Sequence, residues 1–319
     1  MTMAMAVSSP SFAAQRPEWA FFVPSASAES AESAASAAPA ASAASTSAAS
    51  GAQTLDVLNP PDWYPTEHPP MPAVVAQGSP PQGESGAPLL PCALCHLPNG
   101  MGHVESASLA GLPADYIIRQ FAEFRSGERR ITVGNARAQQ ILTVLKSAYS
   151  EEQVRAAALY FSALAPRAWI VVREAEQVPV SIVDPISLMR TARVDQGSEA
   201  LGHRIVELPE SESGLRNRDA HSGFVAYVPK GSLAKGKSLV TQANEWGVTC
   251  SACHGKTFGG LGGVPALAGR PPTYLVRQLW NYQTGERRGS MAAPMRAIAA
   301  RLRVDEMLAM AAYLASLPP

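Results

Sequence analysis

Cysteine is scarce in this 319-residue chain: there are four, and all fall inside two pentapeptides, CALCH at 92–96 and CSACH at 250–254. Four thiols suffice for two disulfides. Pairs spaced C-x-x-C with histidine directly after them are unlike a structural disulfide framework, however, and ask for a cofactor. Charge is also sparse, with 26 Lys and Arg against 26 Asp and Glu. Beyond the extreme N-terminus no apolar run is long enough for a membrane span, and no nucleic-acid-binding motif is present. Methionine is missing between Met101 and Met189.

The N-terminal MTMAMAVSSPSFAAQ lacks a cationic start but is apolar and ends in Ser-Phe-Ala-Ala, similar to the cleavage site of a secretory signal. It reads as the remnant of an export signal or as an ordinary disordered terminus. Residues 25–50 are Ala, Ser, Glu, Thr and one Pro with no apolar periodicity, so residues 1–54 are expected to stay disordered. From 55 to 91 proline accumulates, as in NPPDWYPTEHPPMP, which favours an extended arm lying on a surface over helix.

An internal repeat organises the rest. Aligning Cys92 with Cys250 fixes an offset of 158. Leu109-Ala110-Gly111 then falls on Leu267-Ala268-Gly269, Tyr116 on Tyr274, Arg119-Gln120 on Arg277-Gln278, and Gly127-Glu128-Arg129-Arg130 on Gly285-Glu286-Arg287-Arg288. Near the ends the offset becomes 153, pairing Tyr160 with Tyr313 and Leu164 with Leu317. Two copies imply two homologous domains, 92–164 and 229–319, and not a solenoid. Each carries a helix opened by proline (Pro113, Pro272) with apolar residues at helical spacing and a glycine at its end (Gly127, Gly285). Each also ends in a closing helix; the first starts at a Ser150-Glu-Glu-Gln capping box and buries Val154, Ala158, Phe161 and Leu164. Domains this small and helical need a large cofactor to complete a core.

C-x-x-C-H is the attachment signal of c-type haem. Two thiols add to the vinyl groups, and the adjacent histidine is drawn under the iron as proximal ligand. Cys92, Cys95 and His96 form one such set; Cys250, Cys253 and His254 form the other. The competing readings are one zinc site built from both pairs, or two redox dithiols; both leave the repeated LAG, Tyr-Arg-Gln and GERR segments without a role.

On these motifs the chain resembles the two-domain, di-haem class I cytochromes c of proteobacteria, over about 92–164 and 229–319. With its intervening SGFVAYVPKGSLAKG it also resembles accessory cytochromes of periplasmic dehydrogenases. The resemblance implies a mostly α fold: two class I domains joined by a partly β connector (165–228), with a disordered N-terminal arm. It implies Met295 as sixth iron ligand in the second domain, with Met291 as competitor, and Pro265 as the proline whose carbonyl orients His254. It further implies haem propionate contacts for Tyr116 and Arg119 in the first copy and for Tyr274 and Arg277 in the second, the alternative being ordinary packing. SLAKGKSLVTQ, from Ser232, looks like the helix that opens a class I domain; the first copy has none directly before Cys92.

The first copy departs in two further places. Leu142 stands where the ligand methionine belongs, and Ala107 where the proline belongs. Lys146, His103, His203 and His221 are the candidate substitutes for the missing ligand, while Met101 reads as a packing residue. An open iron, or one with a weak water ligand, is the leading reading.

The expected function is periplasmic transfer of single electrons from a dehydrogenase to an oxidase or soluble cytochrome, without enzymatic activity. Membrane association through the N-terminus is left open. The rival is a haem enzyme or gas-binding protein using the first iron. Residues 229–319 hold eleven Lys and Arg against four Asp and Glu, a net of +7. Such a face steers docking to an acidic redox partner. No nucleic-acid partner is expected.

Overall fold

The computed structural model of the chain describes residues 15–21, 58–79, 89–130, 132, 136–184, 189–243 and 247–319. Its elements are α1 (Ala73–Ala76), α2 (Ala93–His96), α3 (Ala114–Ser126), α4 (Ala136–Ala148) and α5 (Glu151–Ala163). Then come β1 (Ile170–Ala175), β2 (Gln177–Pro179), β3 (Ser181–Val183), β4 (Arg190–Ala192), β5 (Ser198–Ala200), β6 (Val206–Pro209), α6 (Glu212–Arg216) and β7 (Phe224–Pro229). The second repeat supplies α7 (Ser232–Thr241), α8 (Cys250–His254), α9 (Pro272–Gln283), α10 (Ala293–Ala299) and α11 (Val304–Ala315). No described helix is long and apolar enough to cross a membrane.

The second domain is built on the crossing of α7 and α11. Gly236 sits at the contact, where an added Cβ would lie 1.9 Å from the Ala309 carbonyl oxygen. Only a glycine lets the two backbones approach this closely. Val240, Met307, Leu308, Ala311 and Leu314 fill the surrounding core, with Leu275, Val276 and Trp280 from α9.

The first domain solves the same problem with no opening helix among the described residues. The proline-rich arm makes a single helical turn, α1, whose Val74 and Val75 bury against Ala157, Tyr160 and Phe161 of α5. Pro72 at its N-cap starts the turn and the backbone is extended again at Gln77. The arm thus departs locally from the extended path that its prolines suggest. It covers the face that α7 covers in the other copy, and the Val74 carbonyl accepts the Cys92 amide (3.1 Å). α5 begins as expected, with Ser150 and Gln153 capping each other reciprocally.

The connector is a three-stranded sheet ordered β1-β7-β6, parallel between β1 and β7 and antiparallel between β7 and β6, with two small hairpin-like pairs, β2-β5 and β3-β4. After β6 it turns over the first domain. Trp63 Nε1 donates to the Asn217 carbonyl (2.8 Å), Tyr64 hydroxyl to Asp219 (2.9 Å) and Asn99 Nδ2 to the Ala220 carbonyl (2.6 Å). Arm, connector and first domain are laced together by these bonds.

Residues 15–21 correct the expectation that 1–54 is disordered throughout. Glu18–Phe21 form a 3-10 turn; Ala20 and Phe21 are fully buried in the second core and Arg16 lies over the Phe21 ring at 4.2 Å. Two aromatic side chains and a carbonyl that reaches Arg277 (2.8 Å) anchor the strap. The remainder of 1–54 lies outside the described residues.

Candidate haem-binding sites

Both C-x-x-C-H motifs end a short helix that stops at a residue in the left-handed region, Leu97 (φ 60°) in the first and Gly255 (φ 81°) in the second. Three residues on, the roles exchange: Gly100 (φ 72°) corresponds to Phe258 (φ 60°). The main chain is therefore the same although the side chains are not. A non-glycine residue there costs about 1 kcal/mol. Matching hydrogen bonds hold the loops: Gly102 N to His96 O (2.8 Å) and Gly260 N to His254 O (2.9 Å), Leu109 N to Gly100 O (2.7 Å) and Leu267 N to Phe258 O (2.8 Å).

This loop brings a carbonyl to each proximal histidine. His254 Nδ1 donates to Pro265 O at 2.9 Å, and His96 Nδ1 donates to Ala107 O at 2.8 Å. Loss of the proline has not lost the contact, because the acceptor belongs to the backbone. With Nδ1 committed, each imidazole presents Nε2 as its remaining ligand atom. Burial lowers the proton affinity of both rings, which keeps that lone pair available.

The four cysteines are free thiols. Burial pushes Cys92 up to about 12 and Cys95 to about 11, while Cys253 is exposed. Thiols held protonated by burial are poor redox dithiols. Among the described residues no three His, Cys, Asp or Glu side chains gather into a metal site. The two pairs are thus not assembled around one zinc.

Of the candidate sixth ligands, Met295 is half-buried on α10, whereas Met291 is 65% exposed. Leu142 is half-buried on α4, a helix of 13 residues where the second domain has one of 7. Arg125 ties the end of α4 to α3, donating Nε to Lys146 O (2.9 Å) and Nη2 to Tyr149 O.

Tyr116 and Tyr274 each accept from an arginine of the other repeat, in a cluster that repeats about a pseudo-twofold axis. Arg129 and Arg287 lie opposite each other in an antiparallel bridge, flanked by Arg130 N to Glu286 O and Arg288 N to Glu128 O, both 2.8 Å. Arg129 donates to Gln120 Oε1 (2.8 Å), Gln278 Oε1 (3.1 Å) and the Tyr274 hydroxyl (3.3 Å). Arg287 donates to Gln278 Oε1 (3.1 Å), Gln120 Oε1 (2.6 Å) and the Tyr116 hydroxyl (3.2 Å). Burial would raise the Tyr274 phenol, but Arg129 and Arg287 outweigh it and pull the phenol down.

Arg277 is buried and donates to Ala20 O (2.8 Å), Val104 O (3.1 Å) and Glu105 O (3.0 Å), so it joins strap and first domain to the second. Its counterpart Arg119 lies over the Tyr116 ring at 5.6 Å, and its buried Nε has no hydrogen-bond partner among the described residues. Sequence reasoning missed the interfacial roles of Gln120, Gln278, Arg129 and Arg287, and the acceptor role of Ala107.

These residues fit a covalently held haem on three observations: proximal imidazoles with only Nε2 to spare, free thiols beside them, and buried guanidiniums whose described side-chain acceptors are amide and phenol oxygens. The last suits an anionic group such as a haem propionate.

The fold and these sites define a c-type cytochrome, and the chain belongs to the cytochrome c family. The family model "Cytochrome c" matches residues 233–318. Cytochrome c-554(548) of Halomonas halodenitrificans is 39% identical over 69 residues, 21% of this chain and 83% of that protein. Two longer relatives are both named thiosulfate dehydrogenase electron acceptor. That of Thiomonas intermedia is 25% identical over 233 residues, 71% of this chain and 78% of its own. That of Stutzerimonas stutzeri is 25% identical over 238 residues, 74% of this chain and 82% of its own. As a member of this family the chain holds covalently attached c-type haem and transfers electrons.

Proposed function

We propose that this protein is a periplasmic di-haem cytochrome c that takes single electrons from a dehydrogenase oxidising thiosulfate or a related sulfur compound and passes them to a soluble cytochrome or an oxidase. The observation that carries the two-haem count is the duplicated proximal geometry, His96 to Ala107 O and His254 to Pro265 O. The donor class is supported by the names of the two long relatives, whose similarity runs over 233 and 238 residues, far more than one repeat.

A bound haem iron would supply one-electron exchange between its ferrous and ferric states. His254 and Met295 would hold the iron of the second site, a ligand pair that raises its potential. Arg129 and Arg287 would offset propionate charge between the domains, with the Tyr116 and Tyr274 hydroxyls as hydrogen-bonding groups beside them and Arg119 and Arg277 next in line. The second site is the docking face: Cys253 is exposed, as are Leu261 and Met291, and Lys256, Arg288 and Arg296 stand exposed in the same basic domain. An acidic partner would be steered there.

The test is protein matured in an export host and mixed with thiosulfate dehydrogenase and thiosulfate. Two haems per chain, reduced at a rate that falls steeply with ionic strength, are expected. A single haem, or no reduction by any sulfur-oxidising dehydrogenase, overturns the corresponding half of the reading.

A further inference from the structure

We propose that the iron carried by His96 has no side chain of this protein in its sixth position and binds small neutral molecules there, with carbon monoxide on the ferrous iron as the probe. The inference rests on the di-haem reading above. It starts from Leu142, which occupies the repeat position of Met295 and has no lone pair to donate. The remaining donors among the described residues are either bonded to other groups or placed on the proximal side, on the connector or at the surface.

His68 has both ring nitrogens engaged, Nε2 with Asp62 (3.2 Å) and Nδ1 with Pro69 O (2.9 Å). His221 stacks on Tyr64 at 3.6 Å and places Nε2 2.8 Å from Glu67. His203 is exposed on the connector. His103 is buried in the loop between His96 and its carbonyl partner Ala107, edge-on to Phe224 and 3.4 Å from Glu105, which places it on the proximal side.

The sulfur donors are no better placed. Met101 lies in that same loop, and its Sδ accepts the Arg167 amide (3.5 Å). Met71 belongs to the arm three residues after His68, whose ring stands edge-on to Tyr160; the Tyr160 hydroxyl donates to Pro98 O (2.7 Å), two residues past His96. The arm therefore also meets the domain on the proximal side. Met189 packs with the connector cluster around Val104.

On α4 the Lys146 side chain lines a surface cavity of about 460 Å³ with Arg125, Tyr149, Ser150 and Glu151, and the Tyr149 hydroxyl is taken by Leu90 O (2.5 Å). The chemistry near Leu142 selects the ligand class. Thr143 donates its hydroxyl back to Gln139 O (2.6 Å). No His, Asp or Glu lies within one turn of Leu142 to move a proton, so peroxide cleavage is unsupported. A neutral diatomic needs no proton transfer to bind ferrous iron.

The experiment uses the full-length matured protein with haem per chain quantified. Ferric electron paramagnetic resonance should give one low-spin and one high-spin signal, and the reduced protein should take up one carbon monoxide per two haems. In Leu142→Met the high-spin signal should become low-spin and carbon monoxide affinity should fall at least about tenfold. Two low-spin signals with no carbon monoxide uptake by the natural protein overturn the inference while leaving the di-haem reading intact. Fewer than two haems per chain overturns that reading instead. If Leu142→Met fails to fold, the first two measurements still decide.

Discussion

The two domains descend to the same backbone by different side chains. Around the proximal histidine, Leu97 replaces Gly255, Gly100 replaces Phe258 and Ala107 replaces Pro265, yet left-handed residues and carbonyl bonds recur at the same places. Away from that loop the copies diverge. Among the described residues the second builds its core around α7, joined by strap and connector residues such as Phe21 and Ile205, whereas the first borrows a four-residue turn from the arm for a smaller cluster. What depends on main-chain hydrogen bonds has been kept in both, whereas the side chain at the proposed sixth-ligand position differs, Met295 in the second and Leu142 in the first.

The largest expected effect erases that last difference. Met295→Leu should make the second site resemble the first: the ferric low-spin signal disappears, the reduced protein binds two carbon monoxide molecules in place of one, and the potential falls by a sizeable part of the about 0.8 V that axial ligands span. If the low-spin signal of this variant is unchanged, Met291 or another group is the ligand and the comparison fails at its central point.

Next in size is the contact that only the second domain has. Gly236→Ala drives a Cβ into the Ala309 backbone, which cannot yield as a flexible side chain would. The expected loss is about 3 kcal/mol or more, confined to the second domain. Val75→Ala is the counterpart in the first, removing part of a fully buried side chain for about 2 kcal/mol. Thermal unfolding followed at each haem separately would resolve the two; comparable losses in both domains would mean that they unfold as one unit.

Much of this was legible beforehand, for identifiable reasons. The C-x-x-C-H sets, the capping box at Ser150 and the helices opened by Pro113 and Pro272 are local, so spacing alone revealed them. The strap was not: seven residues carry no periodicity, and its partner Arg277 is 257 positions from Ala20. The Ala107 contact was hidden because any residue offers a carbonyl. The interfacial cluster left a trace that could have been read. Tyr116 and Gln120, like Tyr274 and Gln278, recur four apart on one helix face in both copies, as residues of a self-complementary contact would.

A titration separates the domains further. Glu207 is fully buried, accepts from the Thr273 hydroxyl and amide, and is pushed up to about 7 by burial, against a usual 4.5. The folded state thus holds this proton more tightly than the unfolded chain. Its stabilising share is full below pH 4.5 and is lost as pH rises to about 7. Over that window the second domain should lose up to about 3 kcal/mol, and Glu207→Gln should remove most of the slope. The first domain has Asp115 at the repeat position of Thr273, so it offers no threonine hydroxyl to hold such a buried carboxylate. An unchanged pH profile in the variant would assign the slope elsewhere.

The smallest effect tests the closing helices. Ser150 Oγ accepts the Gln153 amide (3.1 Å) and Gln153 Oε1 accepts the Ser150 amide (2.8 Å), whereas Arg303 has no side-chain oxygen and relies on Glu306 to accept its amide (2.9 Å). Ser150→Ala removes an acceptor from an orphan helix donor and should cost about 1 kcal/mol. Arg303→Ala removes exposed ion pairs with Asp305 and Glu306 and should cost less. Hydrogen exchange reads the two directly. Protection of the first-turn amides of α5 should drop roughly fivefold in Ser150→Ala, with α11 unaffected. An equal drop in α11 would mean that the closing helices are coupled through the Arg129 and Arg287 bridge, and that the domains share stability as well as backbone.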